Sequence, residues 1–108
     1  MKPLIYGLLL IAALAAEPDQ QKFTGIITDS ECPEGDHSRM RMGATDAECV
    51  IACVDAHDAM YVLFDGREVF TLSDQKTPEM FAGKKVTVTG TLNAVMKTIQ
   101  VDSITSVK

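Results

Sequence analysis

The stretch KVTVTGTLN, residues 85–93, decides the fold class. Val86, Val88 and Leu92 fall on one face and Thr87, Thr89 and Thr91 on the other, the two-residue alternation of a half-buried β-strand. The following KTIQVDSITSV (97–107) alternates too, but Ile99 and Val101 have the opposite parity to Ile104. A β-bulge near Ser103 reconciles them. Upstream, YVLFDGREVFTLSD (61–74) is two apolar runs around Asp65-Gly66, a hairpin signal. KFTGIITDS (22–30) is β-branched and aromatic, and reads as a first strand.

Two segments change period. In TDAECVIACVDAHDAMY (45–61), Thr45 with Glu48 forms a capping box, Asp46 adds negative charge to the first turn, and Ala47, Ala52, Ala56 and Ala59 favour a helix over about 46–59. TPEMFAGK (77–84) has Thr at a cap position, Pro at the first helical position and Gly83 past the end, which predicts a short helix.

The expected architecture is mainly β (α+β): a five-stranded OB-like β-barrel with a loop-helix insert between strands 1 and 2 and a short helix between strands 3 and 4. A half-open antiparallel sheet packed on the helix fits the same elements. Gly25 and Gly90 fall within strands, where barrel corners need them.

The N-terminus, MKPLIYGLLLIAALAAEPDQ, has the charge, apolar and small-residue order of a signal peptide. Cleavage is expected after Ala15 (A-x-A through Ala13), with Ala16 as the alternative. The apolar run is short for a membrane span. The expected organisation is a signal peptide at 1–15, a polar lead at 16–22 and one domain at 23–108 with an insert at 30–60, in an exported, periplasmic or secreted protein without stable membrane insertion. Without Lys2 the chain holds 9 basic and 15 acidic residues. Such a balance argues against nucleic acid and anionic lipid as partners and is compatible with cations.

Chemistry concentrates in the insert. DSECPEGDHSRMRM (29–42) carries Cys32, His37, Met40 and Met42, and CVIAC (49–53) two more cysteines. Cys49, Cys53 and His57 are spaced four apart on the predicted helix, with Met60 three further on, so they line one side of it. Cys32, His37, Cys49 and Cys53 would form a closed set of three thiolates and one imidazole, which suits structural zinc. Copper(I) would accept the same set, with Met40, Met42 and Met60 as nearby thioethers and His57 as a further candidate.

The competing explanation is a disulfide from Cys32 to Cys49 or Cys53, tying loop to helix and worth about 3 kcal/mol by loop entropy. Cys49 to Cys53 within one helix is geometrically awkward. Any such pairing leaves an odd thiol. The protein would then be a disulfide-stapled binding module of unknown ligand. A thiol redox role is a third alternative. His57 also reads as a solvated residue at a helix C-terminus, and Asp29, Glu31, Glu34 and Asp36 as a solvated acidic loop that could recruit cations weakly. Cys53 with His57 lacks a third group and an oxyanion hole, so the chain is expected not to be an enzyme.

The segments GIITDSEC…H, DAECVIACV, YVLFDGREVFTLSDQ and FAGKKVTVTGTL…KTIQVDSI resemble a group of small exported bacterial OB-like domains of unknown function. Their pattern is D-S-x-C-x4-H followed by C-x3-C. The resemblance runs from about Phe23 to Val107. Cys32, His37, Cys49 and Cys53 fall on matching positions, whereas His57 stands where glycine is expected. The resemblance implies an OB-like barrel and export, and implies no activity.

Overall fold

The computed structural model describes residues 20–38 and 40–107. The expected signal peptide and the first part of the lead lie outside the described residues. The elements are β1 (Gln21–Asp29), α1 (Asp46–His57), β2 (Tyr61–Phe64), β3 (Val69–Leu72), a 3-10 helix (Thr77–Phe81), β4 (Lys85–Asn93) and β5 (Thr98–Ser106). Among the described residues no helix is long and apolar enough to cross a membrane.

The five strands form one mixed sheet that closes in a ring, in the order β1-β2-β3-β5-β4 and back to β1. The half-open antiparallel alternative is therefore not what forms, because a parallel β3–β5 pair (Thr71 with Thr98, Leu72 with Ile99) completes the circuit. β1 serves two neighbours. Its first part pairs with β4 from Gln21 to Ile26, and its second with β2 from Ile26 to Asp29. Gly25 sits just before this transfer, where a Cβ would lie 2.3 Å from the Phe64 carbonyl oxygen.

The expected bulge is present. Thr89 faces Ser103 and Gly90 faces Val101, so Asp102 is the extra residue on β5. It restores the inward parity of Ile99 after that of Ile104 has been set. Gly90 is tightly held there, since a Cβ would approach the Gln100 carbonyl oxygen to 2.2 Å.

Alternation places Ile27, Leu63, Phe70, Leu72, Val86, Val88 and Ile99 inside the ring, with Val50 of α1 and Ala82 completing the core. Burial of each large aliphatic side chain contributes about 1.5–3 kcal/mol. The strand ends close through side chains. Gln75 Oε1 accepts the Tyr61 N–H at 2.8 Å, and its Nε2 donates to the Tyr61 and Leu72 carbonyls at 2.9 Å each. Ser73 Oγ accepts the Val101 N–H.

The predicted elements differ from the observed ones mainly at their ends. α1 keeps its capping box but stops at His57, because Asp58 adopts a left-handed conformation (φ 54°). The hairpin turn spans four residues. Asp65 Oδ1 accepts the N–H groups of Arg67 and Glu68, and Gly66 takes φ 100°. The short helix is 3-10, and its leading N–H groups bond the Asp74 carboxylate, not a Thr77 cap.

Candidate metal centre

β1 delivers Asp29 at the point where the strand meets the insert. Asp29 follows Ile27 at strand spacing, so it points inward and is 0% exposed. One carboxylate oxygen, Oδ1, accepts the N–H groups of Glu31 (2.9 Å) and Cys32 (3.0 Å). These bonds reverse the chain and bring Cys32 back against Asp29. The Cys32 carbonyl is held by the Thr28 hydroxyl (2.8 Å) and the Gly35 N–H (2.9 Å). Gly35 turns the loop with φ 78°, and His37 then folds inward to 3% exposure.

The result is a buried group of three. Ligand atoms of Asp29, Cys32 and His37 all lie within 4.8 Å of one another. Tetrahedral bonds of about 2.0–2.3 Å separate ligand atoms by roughly 3.3–3.8 Å, so a tightening of about 1 Å suffices to close them on an ion. Among the described residues, the second Asp29 oxygen, Oδ2, and the His37 Nδ1 are buried without a hydrogen-bond partner. Each such atom costs about 1–3 kcal/mol when left unpaired. They occur in the same trio as a thiol. Because both lack a partner, no hydrogen bond runs between them, and the carboxylate does not orient the imidazole as it would in a nucleophile relay.

The remaining thiols stand beside this group. Cys49 is 0% exposed; its Sγ accepts the Met42 N–H at 3.2 Å and contacts the Gly43 carbonyl oxygen at 3.4 Å. Cys53 is also 0% exposed. Burial, then the charge of Asp29, followed by Cys32, Cys49 and Glu31, pushes its thiol up to about 11. Burial foremost, then Asp29, Cys49, Asp36 and Glu31, likewise raises the Cys32 thiol above its ordinary range.

Of the expected ligands the structure brings Cys32 and His37 together and places Cys49 and Cys53 outside their group. All three cysteines are free thiols, which corrects the disulfide alternative: neither Cys49 nor Cys53 is bonded to Cys32. His57 is exposed in the last turn of α1, as its solvated reading anticipates. Met40, Met42 and Met60 are exposed at 38%, 37% and 43%, on the surface and not in the buried trio.

Asp29 departs from the solvated reading of the acidic loop and fits its cation-recruiting alternative. Glu31, Glu34 and Asp36 are exposed as a solvated acidic loop requires, but Asp29 is the last residue of β1. Its shared parity with Ile27 was the available signal. The chain thus defines a class, a mainly β domain with a buried Asp-Cys-His group that could hold a metal ion. No family model, curated protein or solved structure matches it.

Proposed function

We propose that the protein is a small exported metal-binding protein whose site is built on Asp29, Cys32 and His37. Two buried polar atoms left unpaired beside a thiol carry this reading. A cation bound there would satisfy both, and would neutralise a carboxylate with no exposure to water. Oxygen, nitrogen and sulfur together suit zinc. Copper(I) prefers soft thiolate and thioether donors, so Asp29 weighs against it and the exposed methionines add little. The strand order β1-β2-β3-β5-β4 supports an OB-like barrel as the scaffold. The residue order at 1–15 supports export.

A thiol redox role has less support. A reactive cysteine wants a lowered pKa and access, whereas Cys32 and Cys53 are buried with raised thiols. The test is the intact mass of the exported protein, native and then denatured without reductant. One zinc per chain and three reduced thiols are expected. No metal, with a mass two hydrogens short, overturns the proposal.

A further inference from the structure

We infer that the depression between the last turn of α1 and the 3-10 helix is a second binding site, for a small guanidino acid. The guanidinium sits against Asp55 and Glu79 over the Tyr61 hydroxyl, and the carboxylate meets Lys76. The inference is independent of the metal centre and uses none of its residues.

Tyr61 opens β2 with the parity of Leu63, so its ring enters the end of the core, and the residue is 2% exposed. Its backbone is tied to Gln75 through both its N–H and its carbonyl. Its hydroxyl, by contrast, hydrogen-bonds to no described residue, although a buried tyrosine hydroxyl usually finds a partner. Nor is that oxygen sealed from solvent. It opens onto a depression of about 370 Å³ lined by Val54, Asp55, Tyr61, Gln75, Lys76 and Glu79. Burial, then the charges of Glu79 and Asp55, raises the hydroxyl above its ordinary range, which places both carboxylates near it.

The rim is charged and unpaired. Among the described residues the ion pairs are Arg41–Asp46 and Lys97–Glu68, so Asp55, Lys76 and Glu79 do not neutralise one another by contact. Lys76 is the cation among the described lining residues, while Arg41 lies at the other end of α1, on Asp46. The Gln75 amide is engaged with the Tyr61 and Leu72 backbone. Carboxylates only accept hydrogen bonds, Lys76 only donates, and a tyrosine hydroxyl does either. A ligand that satisfies them together carries N–H donors at one end and a carboxylate at the other. Guanidinium suits the first end better than ammonium, because its planar fork meets carboxylates bidentately and it is more weakly hydrated. Val54 gives the connecting methylenes an apolar contact. Small-molecule sites occupy about 300–1,000 Å³, so a ligand the size of arginine fits.

The probe is free arginine. Tyr61 is the sole tyrosine after Ala15 and the chain has no tryptophan, so the tyrosine emission of the exported protein reports this site directly. Arginine at neutral pH and low salt is expected to change that emission saturably. Citrulline, its uncharged isostere, should bind at least about tenfold more weakly, and agmatine, which lacks the carboxylate, several-fold more weakly. By calorimetry, Glu79→Gln should weaken arginine about tenfold. Tyr61→Phe removes a hydroxyl with no described partner, so its urea midpoint should hold while arginine affinity falls by a similar factor. No saturable response to arginine, or citrulline binding as tightly, would overturn the inference. Agmatine binding as tightly as arginine would remove Lys76 from the site and overturn the assignment to a guanidino acid. Each of these outcomes leaves the metal-binding reading untouched.

Discussion

The strand ring and the insert joined to it treat polar groups in opposite ways. In the ring, strand ends are tied off by side chains such as Gln75, which makes three hydrogen bonds to Tyr61 and Leu72, and Ser73, which accepts from Val101. At the junction with the insert, Asp29 Oδ2 and His37 Nδ1 are buried with no partner among the described residues. The strand ends thus pair their polar groups, while the junction leaves two unpaired beside a thiol at a cost to stability, where the group could hold a metal ion.

Substitutions that add a single Cβ separate the two regions most strongly. Gly90→Ala drives a Cβ to 2.2 Å from the Gln100 carbonyl oxygen and is expected to cost more than about 4 kcal/mol, or to abolish folding. Gly35→Ala has nothing within 4 Å and pays only for its positive φ, about 1 kcal/mol. Urea midpoints of the two variants measure the contrast, and equal losses would erase it.

Asp29→Asn probes the junction itself. The amide oxygen can keep the bonds from Glu31 and Cys32, while the buried charge is gone and an NH2 group takes the place of the unpaired oxygen. The metal-free protein is expected to gain about 1 kcal/mol. Zinc at a hundredfold over its dissociation constant should stabilise the unaltered protein by about 2.7 kcal/mol, a rise in Tm of roughly 10–20 °C for a domain of this size. The variant should lose that rise. A large loss of stability without metal would make Asp29 a structural residue instead.

The raised Cys32 thiol fixes how zinc affinity depends on pH. Burial and the Asp29 charge keep the proton on sulfur to higher pH than usual, and the metal must displace it. Affinity therefore rises with pH, by about tenfold per unit for one proton released. Chelator competition at pH 6.5 and pH 8 checks the sign, and a flat profile would remove Cys32 from the ligands.

The smallest effect belongs to the ring's periphery. The Thr77 hydroxyl, then the N–H groups of Thr77 and Lys76, hold the Asp74 carboxyl below its usual range. Its contribution is therefore complete above the unfolded pKa near 4 and fades as pH falls through the lower folded value. Asp74→Ala should cost about 1 kcal/mol at pH 7 and less at pH 2. Urea midpoints at both pH values check this.

The ring was legible because its information is local. Alternation in 85–93 places Val86 and Val88 in the core, and the parity slip between Val101 and Ile104 marks the bulge at Asp102. The capping box of α1 reads directly from Thr45 and Glu48. The site was half legible. Cys32 and His37 carry their chemistry in their names, but Asp29 is hidden among acids that are truly solvated, and only its strand position tells it apart. The helix spacing of Cys49, Cys53 and His57 suggests a shared face. It says nothing of how deep each residue lies, and His57 emerges into solvent while the two thiols sink into the core.

The most direct test of the site is the X-ray absorption spectrum of the zinc-loaded protein. An ion on Asp29, Cys32 and His37 should show one sulfur at about 2.3 Å and nitrogen or oxygen neighbours at about 2.0–2.1 Å. Three sulfur neighbours would contradict it and place the metal on Cys32, Cys49 and Cys53.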